Sequence, residues 1–379
     1  MHQSKKIAFI RKTLVPLASI HVQKILEEQF PEYKVELIDI TRILIKRPGI
    51  LIVNGFYTLK EYWRMLFQRK KKFKECFFST SYIFHKIKVL MEDYLSLDNY
   101  VFSFQMQSLY DASKEGLPNF VYTDNTILAN LDSSITDKSA LFPDWFIELE
   151  GQIYKNARIV FVRSNNVAHS LVKQYGYPQE KVKMVFAGSN VQRRYDRKFD
   201  KEYTNKNILF VGIDWYRKGG PELVDAFRRV LESHPTAQLI IVGCIPKVDV
   251  PNCTVVGKVS LERLNEYYEQ ASIFCLPTRM EPFGIAFLEA MEHKLPIVTT
   301  KTGAIPDFVI DGKNGYLIPI GDVHEIASAI NKLLNSPEVC KEFGEKGYSI
   351  LEEKYTWNNT GKLIKKHIVS ALGNFEKSV

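Results

Sequence analysis

The sequence predicts an α/β protein made of two doubly wound parallel-sheet domains. Three observations carry that expectation. The chain has 379 residues, 45% of them hydrophobic and 25% charged, a globular composition with ample core. That length suits about two to three domains. Its opening reads strand, helix, strand, over residues 6–10, 17–30 and 34–40. Short apolar runs ending in glycine then recur from residue 207 onward, at 207–211, 238–242 and 253–256.

Composition narrows the setting. The formal charge of +8 points to an anionic partner or surface. The five cysteines, Cys76, Cys244, Cys253, Cys275 and Cys340, show no metal-ligand spacing and read as reduced core residues. The first residues carry no signal-peptide core, and no apolar run reaches membrane-span length. A cytoplasmic protein is expected.

The first domain is expected over 1–190. The loop after its first strand, 11–16, lacks glycine, so no dinucleotide fingerprint follows that strand. Residues 60–88 are rich in Lys and Arg, with Tyr62, Trp63, Phe67, Phe73 and Phe84 interleaved. Two readings stand: a basic aromatic segment on an anionic membrane surface, or a solvated helix whose aromatics face the core. No nucleic-acid motif accompanies it, so nucleic acid is not an expected partner. Strands are expected at 100–104 and 119–122, the second ending in Thr123, Asp124, Asn125 and Thr126. Ligands of open α/β sheets gather at such strand ends, which makes Asp124 and Asn125 candidates for a sugar or acceptor hydroxyl. Asp and Asn also favour turns for their own sake. A strand at 157–162, a helix over 167–175 capped by Ser164 or Asn165, and a strand at 181–186 complete the domain.

A polar linker is expected over 191–206 and a second domain over 207–355. After the strand 207–211 come Gly212, Arg217 and Lys218, just before a helix that opens at Pro221. Two cations before a helix N-terminus suit phosphate groups. The strongest stretch runs from Pro277 to Glu289. An apolar strand at 271–276 leads into it, and a run of helix formers follows Gly284. Glu281 and Glu289 lie too far apart in sequence for an i, i+4 pair. Flanking a helix start, they can reach the two ends of one elongated anionic ligand, such as a nucleotide sugar.

The pattern of Glu281, then Pro282, Phe283 and Gly284, then Glu289, resembles the signature of retaining glycosyltransferases of the GT-B fold, the glycosyltransferase group 1 (GT4) family. The resemblance is densest over 207–322. It implies two Rossmann-like doubly wound domains facing a central cleft, with acceptor bound by the first and nucleotide sugar by the second. It implies that Glu281 contacts the transferred sugar, that Glu289 holds the ribose hydroxyls, and that backbone N–H groups after Phe283, at Gly284 and Ile285, meet sugar and phosphates. Lys218 matches the phosphate-binding lysine. The resemblance also implies a C-terminal helix, 356–379, returning to the first domain.

Departures are visible. Asn125 stands where relatives often carry histidine, Ile213 where an arginine is usual, and Ala304 where a second glycine is usual. Without a DxD triplet, no metal and no cofactor are expected, and Lys218, Arg217 and the helix start would meet the leaving diphosphate. The implied function is transfer of a sugar to an acceptor hydroxyl of a glycan, lipid-linked or envelope acceptor, with retention. Its rival is a GT-B subunit that binds nucleotide or glycan without turnover. A peripheral site at the inner face of the membrane follows from the first reading of 60–88.

Overall fold

In a computed structural model, residues 5–12, 17–132, 141–191 and 201–376 are described. The chain divides into two compact units. One comprises Met1–Leu131, Thr136–Phe186 and Trp357–Val379; the other is essentially Ala187–Thr356. Each holds one six-stranded, all-parallel sheet.

The strands of the first unit are β1 (Lys6–Arg11), β2 (Lys34–Asp39), β3 (Tyr100–Met106), β4 (Asn119–Thr123), β5 (Ile159–Val162) and β6 (Val182–Met184), in the order β2-β1-β3-β4-β5-β6. Successive side chains of a strand face opposite sides of the sheet, and helices cover both sides, which is why the inner strands β1, β3, β4 and β5 are mostly apolar. In β1, Ile7 and Phe9 join Phe102, Phe104 and Phe120 on one face. Ala8 and Ile10 point the other way, onto Ile83, Ile87 and Met91. The helix Trp357–Glu376 sets Ile364 and Ile368 into the first of these clusters.

The segment 60–88 is not one basic helix. It spans the end of helix Pro48–Phe67, the short helix Phe73–Cys76 and the start of helix Ser81–Tyr94. Tyr62, Cys76 and Phe84 are buried, whereas Trp63 and Phe67 are exposed. Aromatics of this segment thus face the core in one part of it and solvent in another. The expected helix over 167–175 also differs. Ser164 caps it by accepting from the Val167 N–H at 3.3 Å, but after His169 the chain widens into a π-turn, Ser170–Gln174, where the Tyr175 N–H reaches the Ser170 carbonyl at 3.1 Å.

The second unit contains β7 (Asn207–Val211), β8 (Gln238–Val242), β9 (Cys253–Gly257), β10 (Ile273–Leu276), β11 (Ile297–Thr300) and β12 (Gly315–Ile318), ordered β12-β11-β10-β7-β8-β9. This is the doubly wound order 3-2-1-4-5-6, and the direction in which strands are added reverses between β7 and β10. The division between units falls after Phe186 rather than at 190. Val185 belongs to the first core, while the Asn190 side chain hydrogen-bonds Glu289 of the second unit. Of the expected linker, residues 192–200 lie outside the described residues. Its remainder is packed rather than loose. The buried Lys201 ammonium donates to the carbonyls of Tyr268 and Glu269, at 2.7 and 3.0 Å, and Tyr203 donates to Lys294 O at 2.8 Å. Burial lowers the Lys201 pKa to about 7, against a raising influence from Glu269.

Candidate functional site

The two loops that leave β7 and β10 emerge side by side at the switch point of the second sheet, where open α/β sheets bind ligands. After β7 the chain makes a tight loop. The N–H groups of Lys218, Gly219 and Gly220 turn back to the carbonyls of Asp214, Tyr216 and Trp215 at 3.0–3.2 Å. Gly212 opens the loop, and a Cβ there would press on the Lys218 stem at 3.1 Å. Gly219 caps the helix Gly220–Ser233 in the left-handed region, φ +73°. Any side chain there would place its Cβ 1.9 Å from the Pro277 carbonyl oxygen, so the two loops fit only through glycine.

The β10 loop is laced to this one. The Arg279 N–H donates to Arg217 O at 2.8 Å, and the Thr278 hydroxyl donates to the carbonyls of Arg217 and Met280 at 3.1 and 2.9 Å. The Arg217 guanidinium donates to Met280 O at 2.8 Å and pairs with Asp214 at 3.4 Å. Arg217 thus braces the loops, its charge already partly met. Lys218 and Glu281 are both buried and form an ion pair. A second pair, Arg279 with Glu222, ties the β10 loop to the first turn of helix Gly220–Ser233.

Past Glu281 the chain makes another glycine turn. Gly284 sits at φ +97° and caps helix Ile285–Glu292; a Cβ there would meet the Phe287 ring at 2.6 Å. Phe283 is buried against Phe308, ring centres 6.0 Å apart, which fixes the entry to the helix. The Phe287 N–H turns back to Gly284 O at 3.0 Å, while the N–H groups of Ile285 and Ala286 open the helix and present the positive end of its dipole. Gly303 closes the far side. Its missing Cβ would fall 1.9 Å from Glu281 O, while the next N–H, of Ala304, donates to that oxygen at 3.4 Å. Ala304 itself is buried without strain at φ −80°.

Glu289 lies on the buried side of the helix. It accepts from the Tyr268 hydroxyl at 2.9 Å and from Asn190, and Tyr268 is stacked on His293 at 5.2 Å. Burial pushes the Glu289 carboxyl up to about 7, although its hydrogen bonds and the Lys218 charge pull the other way. Glu281, Lys218, Arg217, Gly212, Phe283, Gly284, Ile285 and Glu289 therefore all belong to one loop-and-helix assembly. Sequence reasoning missed Tyr268, Asn190 and Arg279. Only Arg279 carried a signal, by lying inside the Pro277–Glu289 stretch.

Asp124 and Asn125 lie in the first unit, after β4, one strand away from that sheet's own reversal between β1 and β3. Asp124 pairs at 3.3 Å with Arg163, a buried guanidinium that also lies over the Tyr122 ring at 4.8 Å. The Asn125 amide donates to Asn130 at 3.0 Å, and Thr123 hydrogen-bonds across the turn. Beneath it, the buried Glu150 accepts from Ser108, Tyr154 and the Ile127 N–H at 2.8–3.0 Å, and from Tyr175. Burial raises the Glu150 pKa against these bonds. Arg163 and Glu150, the groups that hold this turn, were also missed. Among the described residues no cluster of three His, Cys, Asp or Glu side chains could hold a metal ion.

Two parallel sheets with a phosphate-type loop, a helix start and two buried glutamates in the second define a GT-B protein. Solved structures share this fold over nearly the whole chain. A sucrose-phosphate synthase from Thermosynechococcus elongatus superposes with a TM-score of 0.68 at 16% identity, covering 98% of this chain and 100% of that one. The Anabaena protein HepE in complex with UDP-glucose gives 0.63 at 14% identity, covering 96% and 99%. Residues 191–350 match the family model for glycosyl transferases group 1, so the chain carries a group 1 glycosyl transferase domain across almost all of its second unit. A D-inositol 3-phosphate glycosyltransferase of Corynebacterium jeikeium is 26% identical over 275 residues, 65% of either chain. A probable sucrose-phosphate synthase of Thermosipho melanesiensis is 30% identical over 181 residues, 46% of this chain and 42% of its own. The matched region thus spans less than two thirds of these relatives' length.

Proposed function

We propose that the protein transfers a hexosyl group from a nucleoside-diphosphate sugar to an acceptor hydroxyl, with retention of configuration and without a metal ion. The observation that carries this reading is the buried Lys218–Glu281 pair at the sheet's switch point, beside the open start of helix Ile285–Glu292. A diphosphate at that helix start competes with Glu281 for the Lys218 ammonium. Its arrival frees the Glu281 carboxylate for the hydroxyls of the sugar, and Glu289 takes the ribose hydroxyls. As the C1–O bond to phosphate breaks, charge builds on the leaving diphosphate. Lys218 and the helix N–H groups are fixed beforehand to stabilise it. On the front face the acceptor oxygen bonds to C1 while its proton passes to the departing phosphate oxygen, which conserves configuration without a carboxylate nucleophile.

The solved neighbours, HepE with UDP-glucose and TarM of S. aureus with alpha-GlcNAc-glycerol and UDP, support a uridine donor and a glycan acceptor as the first to try. The test is release of nucleoside diphosphate from a panel of nucleotide sugars, in chelator, with the anomeric proton of the product read by NMR. Release from one donor with an unchanged anomer is expected. Glu281→Gln should abolish it while the melting profile stays cooperative; full activity in that variant removes Glu281 from the chemistry. Nucleotide binding with no release from any donor would instead favour a binding subunit.

A further inference from the structure

Helix Pro48–Phe67 in the first unit is amphipathic the wrong way round. The side it buries carries Asn54, Thr58 and Tyr62. These are satisfied within the protein: Asn54 donates to Phe77 O and accepts from Thr80, Tyr62 donates to Ser79 O, and Thr58 donates to Asn54 O at 2.8 Å. The opposite side carries Ile52, Phe56, Leu59, Trp63 and Phe67. Steps of three or four residues place all five within one narrow stripe. They stand 65%, 69%, 54%, 58% and 84% exposed. The helix cannot turn this stripe inward without breaking the buried hydrogen bonds, so the stripe is fixed facing out. A contiguous exposed apolar stripe marks an interaction surface.

Charge selects the occupant. Lys60 and Arg64 flank the stripe on the same helix, and Arg69, Lys70 and Lys72 follow at its C-terminal end, all exposed. The nearby carboxylate Glu61 is turned inward, accepting from the N–H and hydroxyl of Ser81. An apolar stripe with three aromatics, edged by exposed cations, has the chemistry of a helix lying in the plane of an anionic bilayer surface. No described helix is long and apolar enough to cross a membrane. We propose that the outward face of Pro48–Phe67, with the basic turn after it, docks the protein on anionic lipid. Helix Ser81–Tyr94 presents no such stripe: Ile83, Phe84, Ile87 and Met91 are buried in the unit's core, and Val89 is its one exposed aliphatic residue. This inference is independent of the donor chemistry and survives if no sugar is transferred.

The test is co-sedimentation of the full chain with vesicles of phosphatidylcholine alone and of phosphatidylcholine and phosphatidylglycerol in equal parts. Binding to the second and not the first is expected, weakening with added salt. The doubly substituted Trp63→Ser, Phe67→Ser chain should lose binding with an unchanged melting temperature, since both side chains are exposed. Lys70→Gln with Lys72→Gln should weaken it roughly thirtyfold. Failure of the unaltered protein to bind anionic vesicles overturns the proposal, as does equal binding by the apolar variant. So does a dimer in solution that Phe67→Ser converts to monomer, which would assign the stripe to a second copy.

Discussion

The carboxyl edges of the two sheets are built differently. In the second unit two loops meet across backbone, and the meeting works only because Gly219 and Gly303 carry no side chain where a carbonyl oxygen lies 1.9 Å from the would-be Cβ. Its charges, Lys218 and Glu281, are buried and face each other. In the first unit the turn after β4 is held by side chains: Arg163 on Asp124, Asn130 on Asn125, Glu150 on the Ile127 N–H. A backbone-to-backbone fit constrains residue type position by position, whereas a side-chain scaffold can be assembled from many combinations. The residue types of the second edge are therefore fixed by its backbone, and those of the first are free to vary.

The largest effect should come from splitting the buried pair. Lys218→Met leaves the Glu281 carboxylate buried without its partner, a cost of about 3–5 kcal/mol in unfolding free energy. Donor turnover should disappear with it. Adding Glu281→Gln should restore most of the stability and none of the activity. The matching change in the first unit, Arg163→Met, should cost less, roughly 1–3 kcal/mol, because Asp124 is exposed enough to be hydrated when its partner goes. Denaturant unfolding of the four proteins decides. Equal losses at the two edges would erase the contrast.

Next come the glycines. Gly312→Ala meets nothing within 4 Å, so only its left-handed backbone, φ +68°, opposes the change. That costs about 1–2 kcal/mol. Gly219→Ala adds a collision with Pro277 O that the backbone must move to relieve, and should cost roughly 3 kcal/mol or more. Losing stability at Gly219 no faster than at Gly312 would show that the loops can part without penalty.

This contrast explains what could be read in advance. The Glu281–Glu289 stretch and the Lys218 loop were legible because close backbone approach forces glycine at fixed spacings, and a spacing survives in one dimension. The strands were legible as apolar runs, since sheets covered on both faces need them. Tyr268 and Asn190 were not, because they reach Glu289 through the fold from distant positions in the sequence. The outward stripe of Pro48–Phe67 was not read; residues 60–88, which overlap its end, were singled out for their charge and aromatics. Its apolar periodicity is that of any core helix, and only the hydrogen bonds of Asn54 and Tyr62 show which side is in.

Glu289 offers a pH test of moderate size. Its folded-state pKa, raised by burial to about 7, means that folding favours the protonated carboxyl. Below the unfolded value both states hold the proton and the group has no effect. As pH rises toward 7 the unfolded chain ionises first, and stability is lost; above 7 the whole penalty, roughly 3 kcal/mol, is in place. Glu289→Gln should therefore be more stable than the unaltered protein at pH 8 and nearly equal at pH 4. If the carboxylate takes the ribose hydroxyls, affinity for a nucleotide sugar should rise between pH 6 and 8 in the unaltered protein and stay flat in the variant. Calorimetric titration at the two pH values reads both. A parallel rise in Glu289→Gln would detach the carboxylate from the ligand.

The smallest effect belongs to Asn125, and its smallness is the sharpest statement about the first edge. Its amide nitrogen is committed to Asn130 at 3.0 Å, and its backbone N–H and carbonyl are both engaged by the Thr123 hydroxyl. These bonds make it a turn residue of the β4 end. Asn125→Ala should remove about 1 kcal/mol of stability, the net worth of one such hydrogen bond, and kcat/KM should change by less than about threefold. A sugar contact realised in the transition state would give the reverse pattern: an unchanged melting temperature with kcat/KM down roughly tenfold or more. That outcome would mean the Asn130 bond is exchanged for a substrate hydroxyl during turnover, and that the first edge, like the second, keeps a polar group paired until the ligand replaces its partner.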